Sequence, residues 1–216
     1  MTAAWLLITH FSCLFPIGSL IWSYKVRKET ESLFLISRFL YTLFFSLMYH
    51  SYHVDSEDFI NLHSDYQHIW TFMDSHQSSS LIVSTVLYCC RIREPWLYII
   101  SYGMDTFLLI LYFFNLYVII IYLLIIITFI TFVFKYKTIL RFLKFFLFTS
   151  ILCIIFSIVS FYCYFYYSYG NNNEYILYHS LWHVFIFLSA ASGIVLRFKL
   201  NNHLYPVANR PTLNSI

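Results

Sequence analysis

The chain alternates runs of about twenty mostly apolar residues with short polar breaks, the pattern of helices that cross a bilayer rather than of amphipathic helices around a soluble core. Marking the breaks predicts seven spans, at about 4–24, 32–52, 66–90, 97–114, 116–134, 145–167 and 175–196. The shortest break is Phe114-Asn115-Leu116, where Asn115 is the expected turn between spans four and five. The expected fold class is all-α: a polytopic membrane protein with seven transmembrane helices, residues 1–200 forming the membrane domain and residues 201–216 a flexible tail.

Charge orients the spans. Lys25, Arg27 and Lys28, then Arg91 and Arg93, then Lys135, Lys137, Arg141 and Lys144, and finally Arg197 and Lys199 all follow odd-numbered spans or join them to even ones. The opposite connections, Val54-Asp55-Ser56-Glu57-Asp58 and Gly170-Asn171-Asn172-Asn173-Glu174, hold no Lys or Arg. By the positive-inside rule the N-terminus is outside and the C-terminus cytoplasmic. No basic segment precedes the first apolar run, so a retained span is expected there rather than a cleaved signal peptide.

Composition agrees. Of 216 residues, 60% are hydrophobic and 11% charged, about half the charge of a soluble domain, so the polar side chains cannot cover the outside and lipid must. The net charge of +3 is dispersed in short groups, which excludes a nucleic-acid surface. Cys13, Cys89, Cys90, Cys153 and Cys163 form no CxxC pair and read as small core residues.

Ionisable groups at membrane depth are costly and mark function. Ser46 and His50 lie four apart on span two, and His179 and His183 four apart on span seven, so each pair shares a helix face. Span two ends and span seven begins at the outer side, which brings both pairs to one end of the bundle. Asp74, about eight residues into span three, lies roughly 12 Å deep, level with His183. A lone intramembrane His or Ser ordinarily bonds a neighbouring helix; three imidazoles at one depth beside a carboxylate instead suit a catalytic zinc with three protein ligands and one open position. The expected ligands are His50, His179 and His183. Asp74 is the expected general base and Ser46 a donor to a ligand or to the oxyanion. The substrate would be a membrane lipid with an acyl-ester or amide bond, reached from the bilayer.

Other polar residues read differently. His76 points to another face of span three and His68 sits at its interfacial start; His53 competes with His50 as a ligand; Arg38 is expected to snorkel to the cytoplasmic surface. Asp105, near the middle of span four, has no partner that the sequence assigns.

The segments Phe45-Ser46-Leu47-Met48-Tyr49-His50, Phe72-Met73-Asp74-Ser75 and Tyr178-His179-Ser180-Leu181-Trp182-His183, followed by Leu188-Ser189-Ala190-Ala191, resemble the CREST superfamily of seven-span metal-dependent hydrolases. The likeness is greatest to its branch containing myomaker and the GPI-cleaving phospholipase of the transmembrane protein eight family. It implies zinc at His50, His179 and His183, Ser46 and Asp74 near the metal, and hydrolysis of a lipid acyl or amide bond. The branch also implies a rival role, a non-enzymatic membrane protein promoting cell fusion or remodelling around a structural zinc.

Overall fold

The computed structural model describes residues 8–54, 64–114, 126–127, 129–167 and 172–205. The described residues are all-helical, with no strand among them. Residues 8–10 and a 3-10 turn, Phe11–Cys13, lead into α1 (Leu14–Arg27). α2 (Thr30–Val54), α3 (Ser64–Cys89) and α4 (Trp96–Phe113) follow; α5 (Tyr136–Phe145), α6 (Leu147–Tyr167) and α7 (Asn172–Leu204) complete the order. Residues 126–127 and 129–134 are helical as well, within the expected fifth span. The expected Asn115 turn, the two connections at 55–63 and 168–171 that the charge pattern assigns to the outer side, and residues 206–216 lie outside the described residues.

Among the described residues, three helices are long and apolar enough to cross a membrane: Thr30–Ser51, Leu147–Tyr164 and Ile176–Leu204. Trp96–Leu111 is apolar but shorter. α3 has the length of a span, yet Ser78, Ser79, Ser80, Gln77 and His76 dilute its apolar content, because several of these side chains turn inward to bond neighbouring helices. The last helix outruns its expected end: it stays helical to Leu204, with Asn201 buried, so residues 201–204 belong to the bundle and not to the tail.

The main core lies where α1, α2, α3 and α7 meet, around Leu20, Leu35, Phe39, Leu87, Tyr88, Phe187 and Ile194. Apolar side chains also cover the outside, Phe148 at 74% exposure and Ile158 at 63% among them, as a lipid-facing surface requires. Burial from water cannot then drive the helices together, and close packing with interhelical hydrogen bonds takes over. Ser84 bonds Ser101 across α3 and α4 at 3.1 Å, and Ser32 bonds Tyr88 across α2 and α3 at 2.9 Å. Gly193 lets α7 approach α3: a Cβ there would stand 2.9 Å from Cys89 Sγ.

Two charged networks tie the helices together. Arg38, expected to snorkel, is instead buried; it pairs with Asp105 and bonds Ser80, which also donates to Asp105. Side chains of two neighbouring helices, α2 and α3, thus satisfy the α4 carboxylate that had no partner in sequence, because an unpaired charge in an apolar interior costs far more than a paired one. His76 joins them, its Nε2 3.0 Å from the Asp105 carbonyl oxygen. At the N-terminus of α2, Arg197 of α7 lies against the Tyr88 ring, donates to the Tyr88 carbonyl at 2.6 Å and pairs with Glu29 at 3.2 Å. Arg27 pairs with Glu29 at 2.8 Å and reaches Asn202 at 2.7 Å. The turn between α1 and α2 is thereby fastened to the last turns of α7.

Candidate metal centre

Four histidines converge where residues 8–10, the C-terminal half of α2 and the N-terminal half of α7 meet. His50 Nε2 lies 3.1 Å from His179 Nε2, and His183 Nε2 lies 3.0 Å from the same atom. The helical spacing of His179 and His183 stacks them on one face of α7, and that face meets the C-terminal half of α2. His50, His179 and His183 are all buried. Nitrogens of three ligands around one zinc at about 2.0–2.1 Å sit about 3.3 Å apart in a tetrahedron, close to these two separations.

His10 is the fourth, and the sequence reading missed it. Its ring centroid is 3.9 Å from that of His183 and 4.7 Å from that of His50. His10, His50 and His183 each offer a nitrogen, all within 4.8 Å of one another, a buried triad among the described residues that could hold a metal ion. The signal was there: His10 is an ionisable residue inside an apolar run, the same criterion that singled out the others. It has no second histidine four residues away, so helical spacing did not raise it. The segment is pinned by Ser12, whose hydroxyl donates to the Thr9 carbonyl at 2.5 Å and the His183 carbonyl at 3.3 Å.

Ser46 joins the histidines to the carboxylate. Its Oγ is 2.9 Å from His10 Nε2, and it hydrogen-bonds Asp74, which Ser78 also bonds one turn further along α3. Asp74 Oδ1 is buried without a hydrogen-bond partner among the described residues, an acceptor that a water or a ligand would satisfy.

A cavity of about 30 Å³ opens beside this chain, lined by His10, Ser46, Ser78 and His183 at its polar side and by Leu81, Ile186 and Phe187 at its apolar side. That volume holds one or two waters. Aromatic rings wall the cluster: Tyr49 lies 4.7 Å from His50, and Trp182 lies 5.4 Å from His179 and 4.8 Å from His183. Such walls lower the local dielectric, so a bound cation would be held by the imidazoles rather than by solvent.

Of the sequence-predicted residues, the structure brings together His50, His179, His183, Ser46 and Asp74; His76 turns away to Asp105, as expected of another face. The side chains of His53 and His68, and the loop carrying Asp55 and Asp58, lie outside the described residues. The buried triad His10, His50 and His183 could bind a metal ion, and an all-imidazole donor set is one that zinc, among other transition metals, accepts. No family model matches the chain, and no curated protein or solved structure matches it either.

Proposed function

We propose that the chain is a seven-span integral membrane protein, N-terminus outside, that hydrolyses an ester or amide bond of a membrane lipid at a zinc centre of the CREST type. The observation that carries this reading is the contact of the His50, His179 and His183 Nε2 atoms, with a water-sized cavity against His183 and His10 and with the Asp74 carboxylate joined to His10 through Ser46. Those three imidazoles would hold the metal, whose chemistry when bound is to acidify water and polarise a carbonyl.

The chain's own residues do the rest. Asp74 accepts the proton of the attacking water and returns it to the leaving group, a role that its uncommitted Oδ1 allows. Ser46 and Ser78 hold the other side of that carboxylate in place. His10 fixes Ser46 through their 2.9 Å contact and keeps the hydroxyl aimed at Asp74. The apolar wall of Leu81, Ile186 and Phe187 accommodates a lipid chain and keeps bulk water out.

A second reading is favoured by His10 itself. As a fourth imidazole it would close the coordination sphere, giving a structural zinc that clamps the N-terminal segment, α2 and α7 in a non-enzymatic protein.

The test is zinc content and turnover together. Detergent-purified wild type is expected to carry about one zinc per chain and to hydrolyse some members of a panel of acyl-ester and amide lipids, while the His50→Ala/His183→Ala protein has neither. Asp74→Asn is expected to keep zinc and lose turnover. Zinc without turnover on any lipid would favour the structural reading, and folded wild type without zinc would overturn both.

A further inference from the structure

We infer that α5 is an interfacial helix that seats on anionic phospholipid headgroups, independently of the chemistry at the histidines. The sequence treated residues 135–144 only as a basic connection between two spans. The structure makes them a separate ten-residue helix, set off by non-helical backbone at Lys135 (φ −108°, ψ 16°) and Phe146 (φ −137°, ψ 45°).

Lys137, Arg141 and Lys144 occupy positions i, i+4 and i+7, so they form one stripe along α5, and all three are exposed. None of them pairs with a carboxylate among the described residues, where the ion pairs involve Arg27, Arg38 and Arg197 instead. The same helix is anchored on its other side: Phe142 is buried against Leu196 and Leu200 of α7. Tyr136, Leu140 and Phe145 remain exposed around the stripe, at 53%, 56% and 43%.

A basic stripe flanked by exposed aromatic and aliphatic side chains matches a membrane surface in both of its properties, negative headgroups and an apolar layer just below them. A soluble acidic partner would satisfy the charges and leave Leu140 and Phe145 wet. α5 also lies against the last turns of α7, the end at which the sequence places the cytoplasmic, anionic leaflet.

The test titrates detergent-purified full-length protein with dioctanoyl phosphatidylserine and, separately, dioctanoyl phosphatidylcholine, counting bound lipid by native mass spectrometry. The Lys137→Gln/Arg141→Gln/Lys144→Gln protein is expected to bind the serine lipid at least tenfold more weakly and the choline lipid unchanged. Lys25→Gln/Lys28→Gln, which removes two exposed lysines away from α5, is expected to stay within twofold of wild type. Equal losses in both proteins, no loss in the triple variant, or displacement of the lipid by equimolar inorganic phosphate would each overturn the inference. If the triple variant does not fold, Arg141→Gln alone is expected to weaken binding about fivefold, and unchanged binding there overturns it as well.

Discussion

Arg38 on α2 and Asp105 on α4 form an ion pair inside the bundle, with the guanidinium held between the Phe34 and Tyr102 rings at 5.1 and 5.3 Å. Sixty-seven residues separate them in sequence, and each alone would be a liability in an apolar interior.

Removing one partner is therefore expected to harm more than removing both. Arg38→Met or Asp105→Leu alone strands the other charge and should cost about 3–5 kcal/mol. The Arg38→Met/Asp105→Leu protein replaces the pair by apolar side chains and should recover at least half of that loss. Equilibrium unfolding in mixed micelles checks it; a double variant as unstable as the sum of the single ones would show that the pair contributes no coupling.

Glu29 predicts a pH dependence. Burial opposes its ionisation, but the guanidiniums of Arg197 and Arg27 outweigh burial and hold its carboxyl below the ordinary carboxylate range. A depressed native pKa means that the network's contribution is present above the unfolded value, about 4.3, and is lost as pH falls through the native value. Wild type should lose stability as pH falls below about 5, and Glu29→Gln should show a shallower acid limb from a lower plateau. Thermal unfolding in detergent between pH 7 and pH 3.5 measures both; parallel curves would remove Glu29 as the titrating group.

His10 and His179 should separate under metal titration. His10 contacts Ser46 and would act on the metal through that contact, where losing an outer partner typically costs 10–100-fold in affinity. His10→Ala should thus stay zinc-loaded when zinc is in excess, whereas His179→Ala removes the nitrogen in contact with both His50 and His183 and should not load. A competition titration with a zinc chelator reads both affinities. Loss of zinc in His10→Ala to the same extent as in His179→Ala would assign His10 as a ligand and support the closed, structural site.

The parts of this architecture that are local in sequence were legible, and those that span the chain were not. The apolar runs located the helices, and i, i+4 spacing put His179 beside His183 and Ser46 beside His50, because both periods belong to a single helix. Depth counting then matched α2, α3 and α7. Partners on distant helices left no such trace: Arg197 looks like one more cytoplasmic positive charge, yet it is buried on Tyr88 and paired with Glu29, 168 residues away. Arg38 misled for the same reason, since its position near a helix end allows snorkelling and only the location of Asp105 decides against it. α5 was hidden by its brevity, ten residues being too few to stand out from a basic loop.

Gly193 gives a prediction whose sign depends on its neighbour. Alanine is favoured over glycine in a helix interior by about 1 kcal/mol, so on an open helix face Gly193→Ala would stabilise α7. Here the new Cβ would meet Cys89 Sγ at 2.9 Å, closer than atoms can sit without a shift, while Cys89 Cβ at 3.7 Å and Cys153 Sγ at 3.9 Å make ordinary contacts. Overpacking of this kind costs about 1–3 kcal/mol, which outweighs the helix gain, and Gly193→Ala should destabilise wild type by up to about 2 kcal/mol. Cys89→Ala removes the one clashing atom. In that background the same Gly193→Ala change should become neutral or stabilising, because the methyl enters space the sulfur has left and only the propensity gain remains. The four proteins of this cycle, unfolded in mixed micelles, give the coupling directly. A Gly193→Ala effect of the same sign and size with and without the Cys89 sulfur would mean that α3 and α7 do not approach as closely as the glycine allows.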